Sequence, residues 1–262
     1  MGFINCEMVL GDFMGNEKLL DNQTAIITGA SGGLGETISN TLAKEGANVI
    51  LVYNNNKKGA DTLQEKIQAY GGHACVIKAD VSCEDDVIRL VEYAIDRYSR
   101  IDILINNAGI SINGISWKLD SKDWRRTIDV NLTGSFLCVK HVLPHMRRDN
   151  FGRIINISSI VGQMGVPGTS AYAASKSGLI GFTKAVAMEV ANRNITVNTI
   201  ALGYFETGMI NSINSDQLDA LKRKIPLKRL GKVEELSWVV RFLCSPLASY
   251  VTGEVINVSG GL

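Results

Sequence analysis

The sequence predicts an α/β domain built on a mostly parallel, doubly wound sheet, and three observations carry that expectation. Short β-branched runs alternate along the chain with longer segments of helical period. The runs are nearly continuous in apolar residues, as in NVILVY at 48–53, which suits strands covered on both faces. A glycine-rich turn stands directly between the first run and the first helical segment, where such sheets bind phosphates.

Taken in order, the first strand is placed at 24–28 (TAIIT), and a helix is expected over 35–45. The second strand, 48–53, leads to a helix at 57–70, and the third, 74–78, to a helix at 84–98. After the fourth strand, 101–105, one long helix is expected over 122–148. The fifth strand, 153–157, precedes a helix at 172–192, and the sixth, 196–200, precedes two helices at 216–224 and 234–244. A seventh strand at 254–258 closes the chain. Strands repeatedly followed by helices imply right-handed crossovers between parallel neighbours. The stretch 204–232 carries helix signals but no strand, and is the expected place for a substrate lid.

With 262 residues, 45% hydrophobic and 20% charged, the chain can bury a substantial core but is short for two domains. The expected division is an N-terminal extension at 1–20, with Met8 and Met14 as alternative starts, and one domain at 21–262. A formal charge of +1 removes the electrostatic case for nucleic acid or an acidic membrane as partner. No run reaches the roughly 20 apolar residues that span a bilayer. Five cysteines (Cys6, Cys75, Cys83, Cys138, Cys244) with no C-x-x-C pair read as reduced thiols, hence a cytoplasmic location. His141 and His145 are four apart but lack a third ligand, so no metal is expected. Trp117, Trp124 and Trp238 are expected as core or interface anchors. The 26 glycines against 4 prolines call for tight backbone approaches rather than stiff linkers.

The turn Thr28-Gly29-Ala30-Ser31-Gly32-Gly33-Leu34-Gly35 fits that need, because its N–H groups can approach a pyrophosphate at a helix N-terminus. Its T-G-x-x-x-G-x-G spacing differs from the G-x-G-x-x-G dinucleotide fingerprint. At the end of the second strand an acid would accept the ribose 2′-hydroxyl of NAD, yet Tyr53-Asn54-Asn55-Asn56-Lys57-Lys58 contains none. That favours NADP, with Asn54 to Lys57 around the 2′-phosphate. NAD stays open, since no arginine offers a bidentate grip and asparagines are also ordinary turn residues.

Tyr172 and Lys176 stand four residues apart, on one helical face, where an ammonium favours a phenolate and the pair can exchange protons. Ser159 lies just past the fifth strand, where doubly wound sheets place ligands, and Asn131 lies in the preceding helical segment. Together with Asp80-Val81, Asn106-Asn107-Ala108-Gly109 and the closing Val258–Gly261, these residues closely resemble the short-chain dehydrogenase/reductase superfamily of classical type, over about 20–262. The resemblance implies a single Rossmann-like doubly wound domain with a seven-stranded parallel sheet flanked by helices. It also implies a homotetramer, and hydride transfer between a nicotinamide and a carbonyl or alcohol. It assigns Tyr172 as proton donor, Lys176 to lower the tyrosine pKa and bind the ribose, and Ser159 to the substrate oxygen. Asn131 would hold a helix irregularity and a water. Cofactor contacts are implied at Gly29, Ser31, Gly33, Leu34, Asn54, Asp80, Val81, Asn107, Ala108, Gly109, Tyr172, Lys176, Gly203, Phe205 and Thr207. Leu202 stands where the family usually has proline, which leaves loop rigidity open.

Within the superfamily the chain is most similar to 3-oxoacyl-carrier-protein and acetoacetyl-CoA reductases, through Ser159–Gly165, Ser177–Phe182 and Ile225–Gly231. Ala171, where these reductases commonly have asparagine, departs from them. Arg193 falls at a basic contact of some carrier-protein reductases, with Arg147 and Arg148 nearby, although cations also suit helix C-termini. Substrate contacts are expected from Ser159, Ile160, Gln163, Tyr172 and Tyr204, with Ile110, Val161, Met164 and residues near Met209 around them. The expected activity is NADPH-dependent reduction of a 3-oxoacyl thioester. The alternatives are a dehydrogenase of steroids, polyols or hydroxy acids, and a sensor that binds NADP without turnover.

Overall fold

Side chains that alternate along buried strands fill two separate cores, one on each face of the sheet. In the first strand Ala25 and Ile27 enter one core while Ile26 enters the other; in the second, Val49 and Leu51 oppose Ile50 and Val52. The computed structural model describes residues 18–207 and 214–262. Seven parallel strands form one sheet: β1 (Thr24–Thr28), β2 (Asn48–Tyr53), β3 (His73–Lys78), β4 (Ile103–Asn106), β5 (Gly152–Ser159), β6 (Ile195–Leu202) and β7 (Val255–Val258). Their order is β3-β2-β1-β4-β5-β6-β7, so the winding reverses between β1 and β4 and opens a crevice beyond their carboxyl ends.

Helices α1 (Gly33–Lys44), α2 (Lys57–Ala69) and α9 (Val233–Cys244) send Leu42, Leu63 and Val240 into the first core. Helices α3 (Glu84–Tyr98), α5 (Gly134–Asp149) and α7 (Ser170–Val190) send Leu90, Val142 and Val186 into the second. The shorter α4 (Ser121–Ile128), α6 (Val161–Met164) and α8 (Ser215–Lys224) lie on the connections.

Several expectations are corrected. The long helix placed at 122–148 is interrupted by a π-turn, Asp129–Thr133, which separates α4 from α5 and turns Asn131 inward. β4 begins at Ile103 rather than at 101, and just before it the Asp102 carboxylate accepts the Thr24 N–H at 2.8 Å and the Arg100 guanidinium. α1 begins at Gly33, so two of the loop glycines belong to its first turn. The four-residue α6 was not expected. Leu20, assigned to the extension, is fully buried in the first core, and its N–H bonds Glu45 O at 2.9 Å. The rest of that extension, 1–17, lies outside the described residues, as do 208–213, with Met209, from the expected lid. Trp117, Trp124 and Trp238 are all exposed, so none anchors the core.

Candidate active site

The sequence-derived residues gather at the carboxyl ends of the strands and on the two helices that face them. Gly29 adopts φ +63°, a left-handed conformation that turns the chain out of β1. Thr28 Oγ accepts the N–H groups of Asn107 and Ala108 at 3.0 Å each, and Asn107 Nδ2 donates to Thr28 O and Gly29 O at 2.9 and 3.0 Å. The turns after β1 and β4 are thereby stitched together at the switch point. A Cβ on Gly35 would fall 2.9 Å from both Ala30 Cα and Asn107 Nδ2, so α1 can start this close to the turn only with glycine there. Thr207, beyond β6, reaches across to lie over Gly33. Leu34 packs on the first core and Phe205 is buried in it, so Phe205 turns its side chain away and leaves its backbone to the crevice. Gly203 N–H bonds Val258 O at 2.9 Å.

Ser159 is the last residue of β5, Tyr172 the third of α7, and Lys176 one helical turn further. The Ser159 hydroxyl donates to Leu202 O at 3.4 Å, accepts the Val161 N–H at 3.2 Å and lies close enough to the Tyr172 phenol to lower its pKa, and Lys176 Nζ lies 5.6 Å from the phenol ring centroid. Lys176 is 4% exposed and donates to Ile157 O at 2.7 Å. Burial lowers its pKa to about 8. Burial also pushes the Tyr172 phenol up, against the neighbouring Ser159 hydroxyl that lowers it, with the nearby Tyr204 phenol adding to the rise. The net direction, upward, is set by desolvation of the phenolate. Asn131 is locked on both sides, its Oδ1 accepting Ile110 N–H at 2.8 Å and its Nδ2 donating to Ile110 O at 2.9 Å and Ser175 Oγ at 3.0 Å.

The residues fit a dinucleotide. An ammonium has three donors, yet among the described residues the buried Lys176 has a single acceptor, Ile157 O. Gly109 faces it, and a Cβ there would stand 3.5 Å from Lys176 Nζ and 3.3 Å from Asn131 Oδ1, so glycine keeps the approach open. At the adenosine end, Asp80 is fixed by Ser82 N–H at 3.0 Å and by Arg126 at 3.0 Å, and its pKa is lowered to about 2. Burial opposes that shift, and the hydrogen bonds from Ser82 and Arg126 overcome it. Val81 is buried beneath Gly134. A cavity of 330 Å³ opens between Ser31, Glu36, Asn56, Lys58 and Lys66. Lys57, expected there, instead pairs with Asp61 at 2.6 Å, while Asn56 caps α2 through Gly59 N–H at 3.0 Å and reaches Ser31 O. Asn54 follows β2 directly and is half-buried.

On the substrate side Tyr204 is half-buried, whereas Ile160 is only 2% exposed and Val161 is buried as well. Gln163 is tied to β7 by its amide, Nε2 donating to Asn257 Oδ1 at 2.8 Å. Four contributors escaped the sequence reading: Thr28 as the stitch, Ser175 as the support of Asn131, Arg126 on Asp80, and Asn257 on Gln163. Ser175 sits inside the Tyr172–Lys176 motif and Thr28 opens the glycine turn, but their partners, like those of Arg126 and Asn257, lie 44 to 94 residues away in the chain.

The model of a family described as enoyl-(acyl carrier protein) reductase matches residues 29–262. A 3-oxoacyl-[acyl-carrier-protein] reductase of Synechocystis is 43% identical over 244 residues, covering 93% of this chain and 98% of the relative. One of Staphylococcus epidermidis is 41% identical over 241 residues, covering 92% and 99%. Among solved structures, one described as a short-chain alcohol dehydrogenase from Sinorhizobium meliloti superposes with a TM-score of 0.88 at 36% identity, covering 92% and 96%.

Proposed function

The chain belongs to the short-chain dehydrogenase/reductase family of NAD(P)-dependent oxidoreductases, and from that premise we propose that it reduces the keto group of a 3-oxoacyl thioester to the 3-hydroxyacyl product with NADPH. The observation that carries this reading is the neighbouring hydroxyls of Ser159 and Tyr172 beside a buried ammonium. Two donors that converge on one oxygen suit a carbonyl whose oxygen becomes an alkoxide and must take a proton. The names of the relatives, 3-oxoacyl reductases, support the same substrate class.

NADP(H) when bound supplies the hydride. Gly29, Ser31, Gly33, Leu34, Asn107, Ala108 and Thr207 would hold its phosphates and nicotinamide side, Asp80 and Val81 its adenine, and Gly109 admits its ribose to Lys176. Lys58 beside Ser31 and Asn56 would take the 2′-phosphate, while the nearby Glu36 carboxylate is neutralised by Lys66 at 2.8 Å. Tyr172, its phenol kept protonated by burial, breaks its O–H bond and forms the new O–H bond on the substrate oxygen. Ser159 donates to that same oxygen. Lys176 holds positive charge beside the phenolate left behind, and Asn131 keeps the Ile110 backbone in place beside Gly109.

A carrier protein as thioester donor is supported by a groove of 550 Å³ between the C-terminal ends of α5 and α7, where Lys140, Arg147, Arg148 and Arg193 converge with Glu189. Acyl carriers present acidic surfaces that such a groove would steer. Assembly as a homotetramer is supported by exposed apolar side chains at Trp238, Phe242, Leu247 and Tyr250. Among the described residues no helix is long and apolar enough to cross a membrane. The described cysteines Cys75, Cys83, Cys138 and Cys244 are free, which supports a cytoplasmic location.

The test is oxidation of NADPH and NADH with 3-oxoacyl thioesters on CoA and on carrier protein, set against 2-enoyl thioesters, steroids and polyols. Turnover is expected on 3-oxoacyl thioesters, faster with NADPH. Equal kcat/KM with NADH would overturn the cofactor assignment. Turnover on enoyl thioesters or steroids alone would overturn the substrate class, and cofactor binding without any turnover would favour the sensor.

A further inference from the structure

The turn after β3 is held from the other half of the sheet. Ala79, just past β3, bonds Tyr53 O at 2.9 Å, so Asp80, Val81 and Ser82 stand beyond the carboxyl ends of β2 and β3. α4 and α5 follow β4, across the switch point, yet both close on the same three residues. Gly134, the first residue of α5, lies so near Val81 that a Cβ there would meet Val81 O at 3.1 Å. Arg126, in the last turn of α4, reaches Asp80 and Ser82.

These contacts form a closed ring. Arg126 Nη2 donates to Asp80 Oδ2 at 3.0 Å and Nη1 to Ser82 Oγ at 2.8 Å, two prongs of one planar fork. Ser82 Oγ accepts from the fork and turns its own hydrogen to Asp80 Oδ1 at 2.5 Å. The Ser82 N–H adds a second bond to that oxygen at 3.0 Å. Asp80 Oδ1 is thereby filled, whereas Oδ2 has one donor among the described residues and keeps one lone pair. The Asp80 side chain remains 27% exposed. The carboxylate therefore presents one acceptor position to the space beyond the strand ends, in a direction that the ring fixes.

Charge decides what that position takes. Arg126 offsets the charge of Asp80, so the pair does not repel the phosphates of a dinucleotide and holds a second cation only weakly. A neutral N–H donor gains most, because it meets a charged acceptor and brings no charge that must be desolvated. The adenine 6-amino group is such a donor. We propose that Arg126 is a positioning residue for the cofactor, whose fork aims Asp80 at the adenine 6-amino group and so sets a preference for adenine over a purine with oxygen at that carbon. The inference rests on the dinucleotide reading of Asp80 above. Arg126 acts through Asp80 and Ser82, not on the cofactor directly.

The experiment measures Kd by cofactor fluorescence in the wild type, Arg126→Met and Arg126→Lys. The ligands are NADPH and its hypoxanthine analogue, in which a carbonyl oxygen replaces the 6-amino group. The wild type should bind NADPH at least about tenfold more tightly than the analogue, as a hydrogen bond to a charged group implies. In Arg126→Met the Kd for NADPH should rise about fivefold and that for the analogue by less than about twofold, so the ratio between them collapses. Arg126→Lys keeps the charge without the fork and should restore part of the ratio. A merely structural role would weaken both ligands alike. An unchanged ratio in Arg126→Met would therefore overturn the proposal and leave the adenine reading of Asp80 intact. A wild-type ratio near one would overturn that reading and the proposal with it. Lack of NADPH binding by the wild type would overturn the cofactor reading itself.

Discussion

Lys176 is a buried cation with one acceptor among the described residues, four residues from a phenol that burial keeps protonated. The two shifts set the pH range of the reduction. Tyr172, raised above its ordinary value, carries its proton throughout neutral pH. Lys176 is charged below about 8 and loses its charge above it. The kcat/KM for reduction is therefore expected to be flat around neutrality and to fall as pH rises through about 8; a rise across that window would contradict the roles given to both groups. Tyr172→Phe removes the donated proton and is expected to lower kcat by roughly 10²–10⁴-fold. NADPH binding, followed by the quenching of tryptophan or the enhancement of cofactor fluorescence, should persist. Residual turnover near the wild-type rate would remove Tyr172 from the chemistry. Ser159, Tyr172 and Lys176 were legible because their spacing survives in any fold that carries the motif. The direction of the tyrosine shift was not, since it is decided by burial, which a spacing does not contain. The same holds for Lys57, which the sequence offers as a phosphate ligand and the Asp61 side chain, one helical turn away, claims.

At the scale of elements, α7 is what brings phenol and ammonium to the strand ends, and polar side chains tie it to the sheet. Asn106 Nδ2 donates to Asn156 Oδ1 at 2.8 Å, Asn156 Nδ2 to Thr183 Oγ at 2.8 Å, and Thr199 Oγ to Thr183 Oγ at 2.7 Å. This chain links β4, β5, α7 and β6 where all four residues are buried, so it fixes the helix laterally in a way that apolar contact does not. The short α6 completes the arrangement: a Cβ on Gly162 would come 2.8 Å from Lys176 C and Ser177 N, both backbone atoms. Gly162→Ala is expected to cost about 1–3 kcal/mol by forced separation of α6 from α7. Denaturant unfolding should show the loss, together with a lower kcat; unchanged stability and rate would mean the two helices have slack. Strand and helix order was legible from alternation and length. The π-turn and α6 were not, because a five-residue widening leaves the apolar period of α4 and α5 almost intact, and four residues are too few to show a period.

For the molecule as a whole, one sheet serves both halves of the reaction. The reversal between β1 and β4 opens the crevice for a dinucleotide, and Ser159, at the end of β5, sets the proposed substrate side along the same edge. With one domain, the proposed substrate walls come from loops after the strands of the same sheet. Those walls pair residues far apart in the chain, such as Gln163 with Asn257, and so the sequence pointed to Gln163 without revealing what it faces. The most direct measurement is deuterium transfer from NADPH labelled at the reactive nicotinamide carbon to a 3-oxoacyl thioester, read by mass and NMR analysis of the product. One deuterium on the carbon that bears the new hydroxyl is the predicted result. Unlabelled product, no product, or deuterium delivered only to the double bond of an enoyl thioester would contradict it.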